Sequence, residues 1–469
     1  MGCRSQIGKR GPRMIGNTVP RRARRSWLCA LLFTALGVLG SINTPSAPSA
    51  AKPDGQRWIG TWATAAQPSP PGRVQAFRNQ TLRLIVHMSI GGPKVRIKIS
   101  NTFGDGPLLI GGAHIARRTT AADIDTASDR ALTFGGQLST TIPAGSTAVS
   151  DPADLNVPAL SDLAVSLFLP QTTQATTSHI LALQTSYVSP ATGDATAAGK
   201  FPVANTITSW PFLTGVDVAA SARGAAIVAF GSSTTDGDGS TKDANHRWPD
   251  VLAERLQKAG GRAAELGVLN LGIIGNRLLS DNHSPRQAGG PFGAVLERFG
   301  GALGPSGLAR FERDVLDQAG VKYVILVLGI NDILFPGSFI PISESVSAQS
   351  LISGNHELIA RAHKKGIRVI ETTIPPFEDA TFNSPTIKFY TPEHEAVRQE
   401  VNAWIRSSRE FDGVIDFDEV LRDPSHPARL LPAYDSGDHL HANDAGYIAS
   451  GNTIPLALFR GRWTRVGLS

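Results

Sequence analysis

The chain has 469 residues, of which 48 are Gly and 31 Pro, with 41% hydrophobic and 18% charged. That length exceeds one ordinary core, so about two domains plus tails are expected. The apolar share excludes disorder, collagen and coiled coil, and the formal net charge of +6 at first suggests a polyanionic partner.

The charge distribution removes that suggestion. Residues 1–51 carry Arg4, Lys9, Arg10, Arg13, Arg21, Arg22, Arg24 and Arg25 and no acidic residue. Without them, 37 basic residues face 39 acidic ones, a net charge of −2, and no basic stripe remains to support a nucleic-acid partner. The segment has a basic start, an apolar run from Trp27 to Gly40 and a small-residue exit at Ser49-Ala50-Ala51. Those are the parts of an export signal, and the run is too short to span a bilayer. Arg24-Arg25-Ser26-Trp27-Leu28 is similar to a twin-arginine signal, and an ordinary secretory signal with extra arginines fits equally. Both cysteines, Cys3 and Cys29, fall inside it. A secreted, extracellular protein of bacterial export type is expected, without disulfides, thiolate metal sites or cysteine chemistry. No later stretch has the 18 apolar residues of a membrane span.

Residues 52–220 read as a β-rich domain. Lys94-Val95-Arg96-Ile97-Lys98-Ile99-Ser100 alternates strictly, with Val95, Ile97 and Ile99 on one face, the period of a half-buried strand. The run Leu82–Met88 precedes it across Gly91-Gly92-Pro93, which predicts a hairpin. Leu163–Leu169 alternates in the same way. A β-sandwich of jelly-roll type is expected.

Residues 224–462 follow a different grammar. Strand-like runs at Ala225–Phe230, Gly267–Leu271, Tyr323–Leu328, Ile367–Thr373 and Val414–Phe417 alternate with helical stretches. The helices are expected at Trp248–Ala259, Gly307–Ala319, Ser343–Lys365, Pro392–Ser407 and from Asn443 to about Leu458. This pattern predicts a parallel sheet with helices on both faces, whose ligands bind at the carboxyl ends of the strands.

The polar blocks fall at those ends: Phe230-Gly231-Ser232-Ser233-Thr234-Thr235-Asp236-Gly237 after the first strand, Gly272-Ile273-Ile274-Gly275-Asn276-Arg277 after the second, and Leu328-Gly329-Ile330-Asn331-Asp332 after the third. Asp438-His439-Leu440-His441 stands before the last helix. Each block alone reads as turn or cap chemistry. Together they supply what ester cleavage by serine requires: a hydroxyl, an imidazole to take its proton, a carboxylate to orient the imidazole, and donors for the oxyanion. Ser233 is the candidate nucleophile, His441 the general base and then acid, and Asp438 its orienting group. The backbone N–H groups of Ser233 and Gly275 and the Asn331 carboxamide are the candidate oxyanion donors. His439 is a rival base.

These blocks resemble the SGNH hydrolases, the GDSL esterase/lipase superfamily, in which Ser, Gly, Asn and His occur in this order. Gly275, rather than Gly272, matches the family glycine. Asp243-Ala244-Asn245-His246-Arg247-Trp248-Pro249-Asp250, Gly275-Asn276-Arg277-Leu278-Leu279 and Asn443-Asp444-Ala445-Gly446-Tyr447 resemble an actinobacterial branch found beside xylan-degrading enzymes. The resemblance implies a flavodoxin-like three-layer α/β/α domain and hydrolysis of carboxylic esters, including O-acetyl or other O-acyl groups on polysaccharide, through an acyl-serine intermediate without metal or cofactor. It also leaves open a lipase or lysophospholipase, and a non-catalytic carbohydrate-binding protein with a degenerate domain. One departure stands out: Ser232 occupies the place of the family's usual Asp.

Other motifs point elsewhere and fail. Asp236-x-Asp238-x-Ser240 suggests a calcium loop, but its sixth position is Thr241 and its twelfth Arg247. The glycine-rich turn after the first strand lacks both the P-loop ending and the dinucleotide fingerprint. The histidines show no metal spacing. Asp332 is either a second acid or, as favoured, the anchor of the following turn or helix start, and Trp248 is expected to line a groove or pack.

Overall fold

The computed structural model describes residues 57–70, 72–282, 300–381 and 388–459. The export-signal expectation, Cys3 and Cys29 lie outside the described residues. The β-rich part is built on β1 (Arg57–Ala63), β2 (Gln80–His87), β3 (Gly92–Ser100), β4 (Asp162–Leu169) and β5 (Leu213–Ala220). One antiparallel sheet pairs β1 with β5 and β5 with β3; the other pairs β2 with β4, and shorter strands extend both.

The expected hairpin is therefore a correction. β2 and β3 belong to different sheets, and residues 88–91 carry the chain from one to the other, Gly92 and Pro93 already opening β3. The reason lies in the alternation itself. Leu82, Leu84 and Val86 on β2 and Val95, Ile97 and Ile99 on β3 are all fully buried in one core cluster. Facing each other across that core removes both apolar rows from water, whereas a hairpin would set them side by side on one sheet. Leu163, Val165, Leu167 and Leu169 of β4 join the same core. The opposite face of that sheet is covered as well, by a cluster of Ile85, Ala116, Ala164, Tyr187 and Phe201.

The second part contains β6 (Ala225–Gly231), α1 (Ser233–Asp236), α2 (Trp248–Ala259), β7 (Leu266–Gly272), β8 (Val321–Val327), α3 (Ile330–Leu334), α4 (Ala348–Lys364), β9 (Arg368–Thr372), α5 (Pro392–Ser407), β10 (Gly413–Ile415) and α6 (Asp444–Thr453). Its five strands are all parallel in the order β7-β6-β8-β9-β10. This is the 2-1-3-4-5 order, whose switch point lies at the carboxyl ends of the first and third strands. Alternation along β6 explains the two helical layers. Ala225, Ile227 and Ala229 pack with Trp248, Leu252 and Tyr447 on one face, while Ala226, Val228 and Phe230 pack with Phe311, Leu351 and Leu358 on the other.

Helix ends follow local chemistry. α4 begins at Ala348 rather than Ser343 because the Ser347 side chain caps it, accepting from the Ser350 N–H at 3.2 Å. The stretch expected as one helix at Gly307–Ala319 is a short α-helix, Gly307–Phe311, that widens into a π turn at Glu312–Leu316. Trp248 is fully buried and edge-on to Phe417, so it packs. Among the described residues, no helix is long and apolar enough to cross a membrane.

The β-rich part covers the β7 edge of the parallel sheet. Ser89 Oγ accepts the Val268 N–H at 2.9 Å, which occupies an edge donor otherwise open to a foreign strand. The backbones touch closely there: a Cβ on Gly267 would lie 2.2 Å from the Gly60 carbonyl oxygen, so glycine is required. Core residues of both parts, from Ile59 and Val95 to Leu269 and Val324, form one continuous cluster.

Candidate active site

Ser233 opens the one-turn helix α1 directly after β6. The turn is tight: a Cβ on Gly231 would sit 2.0 Å from Thr235 Oγ1. Gly237 ends the turn at φ 103, and its N–H donates to the Ser233 carbonyl at 2.8 Å. Only 5% of Ser233 is exposed. Ser232 Oγ is buried and has no hydrogen-bond partner, so at this position the hydroxyl does not replace the bonds of a carboxylate.

His441 reaches this turn from the far end of the chain. Its Nε2 lies 2.8 Å from Ser233 Oγ, and its Nδ1 lies 2.6 Å from Asp438 Oδ2. The other Asp438 oxygen accepts the His441 N–H at 2.8 Å and the Leu440 N–H at 3.0 Å. Burial works to raise the Asp438 pKa, but these bonds and the nearby imidazole prevail and hold it well below the usual carboxylate range. For His441, burial works to lower the pKa. The bond to Asp438 and the charges of Asp238, Asp438 and Asp435 outweigh it, and the imidazole pKa rises above its ordinary value. His439 turns elsewhere: at φ 61 its ring Nδ1 meets Asp435, and the side chain is half exposed.

The long strings noted in the sequence hold these two loops together. Asp444, at the start of α6, accepts the Thr241 N–H at 2.7 Å and faces His246 Nδ1 at 2.8 Å. Tyr447 Oη donates to the Asp238 carbonyl at 2.6 Å. The Asn443 side chain caps α6 by accepting from the Gly446 N–H. The loop that carries Ser233 is thus bonded to the segment that follows His441. The same loop brings Asp238 Oδ2 to 3.8 Å from His441 Nε2, and burial raises the Asp238 pKa.

Gly275 sits in the turn after β7 at φ 70, where a Cβ would meet Leu303 at 2.8 Å. Among the described residues, the backbone N–H groups of Ser233 and Gly275 have no acceptor. The Asn331 side chain donates one N–H to the Asn276 carbonyl at 2.9 Å, which ties α3 to the Gly275 turn and leaves its second N–H. Asp332 does not cap the start of α3, though its carboxyl bonds its own N–H, and it reaches across to another turn. Its two oxygens accept the N–H groups of Leu278 and Leu279 at 2.7 and 2.9 Å, binding the same turn from below, and burial pushes its pKa up to about 6.

Two supports were given no role in the sequence, although Asn276 stands in the quoted strings. Asn276 donates to the carbonyls of Leu303 and Pro305 and accepts from Arg310. Arg310, 1% exposed, also donates to the carbonyls of Leu271 and Gly231 and pairs with Asp314, so one guanidinium gathers the ends of β6 and β7. Its signal was present as an Arg and an Asp four apart on a helical stretch. That the pair points inward could not be read from spacing.

Hydroxyl, imidazole and carboxylate thus form one hydrogen-bonded series beside two unpartnered backbone N–H groups. Such a series can take a proton from the hydroxyl, return it to a leaving group and stabilise negative charge on a carbonyl oxygen. The sequence over residues 227–454 matches the family model described as GDSL-like lipase/acylhydrolase. No curated protein matches the chain. Solved structures to which part of the chain is similar include an aryl esterase of M. smegmatis, 18% identical with TM-score 0.35, covering 49% of this chain and 95% of its own. A GDSL-like lipase of Bacteroides thetaiotaomicron is 16% identical with TM-score 0.33, covering 50% and 87%. A carbohydrate acetylesterase from Sinorhizobium meliloti is 15% identical with TM-score 0.34, covering 48% and 94%.

Proposed function

From the premise that this chain belongs, through residues 227–454, to the GDSL-like lipase/acylhydrolase family and is a carboxylic ester hydrolase, we propose that Ser233 is its nucleophile. His441 takes the hydroxyl proton as Oγ attacks the ester carbonyl. The oxyanion is held by the N–H groups of Ser233 and Gly275 and the free N–H of Asn331. The intermediate collapses, His441 protonates the departing alcohol, and an acyl-serine remains. Water, deprotonated by the same imidazole, then releases the acid and restores Ser233. Asp438 keeps Nδ1 protonated, so that Nε2 faces the hydroxyl as an acceptor. The observation that carries this reading is the 2.8 Å contact between Ser233 Oγ and His441 Nε2, in series with the 2.6 Å contact to Asp438.

We further propose an exported enzyme acting on O-acyl groups of polysaccharide. The basic, apolar and small-residue order of residues 1–51 supports export. The strings around Asp243–Asp250 and Asn443–Tyr447, which resemble the branch found beside xylan-degrading enzymes, support the substrate class. Labelling with a fluorophosphonate, followed by turnover of p-nitrophenyl esters from acetate to palmitate and of acetylated xylan, tests the whole reading. The expected result is labelling at Ser233, preference for short acyl groups and acetate release from xylan. Turnover rising with acyl length makes the protein a lipase, and absence of labelling makes it a binding protein.

A further inference from the structure

His179 ends the short strand Thr177–His179 in the β-rich part. Its ring is 2% exposed and stacks on Trp210, with centroids 5.7 Å apart, and Trp210 in turn meets the edge of Trp62 at 4.9 Å. Nδ1 lies 3.0 Å from the Ala65 carbonyl oxygen and Nε2 lies 2.9 Å from Asp236 Oδ1. A carbonyl has no proton to give, so Nδ1 carries one. Nε2 faces a second acceptor, so one more proton lies between it and Asp236.

Asp236 is the last residue of the turn that starts at Ser233. Its second oxygen accepts the Ile274 N–H at 2.9 Å, one residue before Gly275. The same turn is fixed from β7, where Asn270 donates to the Thr235 carbonyl at 2.7 Å. Without His179, a carboxylate 2% exposed would keep one backbone partner and an unpaired buried charge. It would turn towards water and take Ile274 with it. A cavity of about 20 Å³, room for about one water, adjoins the pair.

We infer that His179 is a positioning residue for the ester chemistry: bonded through Asp236, it aligns the Ile274–Gly275 peptide with the turn of Ser233, so the β-rich part belongs to the catalytic unit. This inference rests on the reading of Ser233 and Gly275 given above and adds a residue outside the family-matched region.

The experiment uses the full chain and p-nitrophenyl acetate. His179→Ala lowers kcat by about 100-fold, the scale of a small misplacement near reacting atoms, while KM changes less than about threefold. Added imidazole restores part of the rate. Asp236→Ala lowers kcat similarly, and the double variant loses no more than either single one, because both cut the same link. Lys98→Ala, which cuts the 3.3 Å contact of Lys98 with Gln318 between the same two parts, leaves both constants unchanged. A readout independent of activity is ¹⁵N NMR of the histidines in the native chain. A low-field proton in the bond between His179 Nε2 and Asp236 is expected, one that vanishes in Asp236→Asn and persists in Ser233→Ala. The NMR result and His179→Gln decide the matter if the alanine variant does not fold. Unchanged kcat in His179→Ala beside an inactive Ser233→Ala overturns this inference alone. An active Ser233→Ala overturns the reading beneath it.

Discussion

The Asp438 carboxylate holds His441 at two points, accepting the ring Nδ1–H on one oxygen at 2.6 Å and the backbone N–H on the other at 2.8 Å. One acid thereby sets both the tautomer of the imidazole and the position of the peptide that carries it. Asp438→Asn offers an amide that can keep the geometry while selecting the wrong tautomer. A loss of about 10⁴-fold in kcat is expected, with KM little changed. Steady-state kinetics at several pH values checks it, and a loss under tenfold would remove Asp438 from its role.

Adjacent serines should behave oppositely. Ser233→Ala removes the proposed nucleophile and should lower kcat by about 10⁴-fold or more. Ser232→Ala removes a buried hydroxyl that bonds to nothing, so a measurable rate and a stability within about 1 kcal/mol of the wild type are expected. Comparable residual rates in the two variants would reject the assignment.

In the proposed mechanism the acid limb of the rate profile reports His441, which must be neutral to accept a proton. Its pKa is raised, so the limb should lie above the ordinary histidine value near 6.5. Asp238, 3.8 Å away, contributes negative charge to that rise. Asp238→Asn removes the charge, lowers the imidazole pKa and should move the limb to lower pH. A limb that stays in place, or moves up, contradicts the electrostatics described above.

Asn331→Ala should cost about 10²–10³-fold in kcat, the usual effect of one oxyanion donor. Part of that loss comes from freeing the Asn276 carbonyl. Asn331→Asp, which keeps the shape but brings a charge that repels an oxyanion, should be no better. Wild-type kcat in either variant would exclude the carboxamide from the chemistry.

Glu371 on β9 is 1% exposed, its Oε2 has no partner among the described residues, and burial holds its pKa well above the usual carboxylate value. The folded state therefore keeps a proton that the unfolded state releases above about pH 4.5, and stability falls as pH rises through that window. Glu371→Leu removes the titration and the unpaired oxygen, and should stabilise at neutral pH by about 1–3 kcal/mol. The gap from wild type should widen from pH 5 to pH 8 in thermal unfolding. A gap independent of pH would show that Glu371 is not the titrating group.

The sequence by itself carried the elements and the chemical blocks. Alternation at Val95, Ile97 and Ile99 marked a strand, and α2 and α5 begin and end where Pro249 and Pro392 near their starts and their periodicity put them. Ser233, Gly275, Asn331 and the Asp438/His441 pair were legible because turns at strand ends need recognisable residues within a few positions. The choice between His439 and His441 as partner of Ser233 was legible only as motif spacing.

The tertiary structure alone decided which elements meet. It put β2 and β3 in separate sheets, because two apolar rows are buried better face to face than side by side. It turned Arg310 inward to carbonyls of two strands, set Asp332 on Leu278 and Leu279, and joined His179 to Asp236. Each of these contacts is a hydrogen bond or apolar burial between segments far apart in the chain. Local pattern records what a residue can bond, while the packed fold determines which partner is within reach.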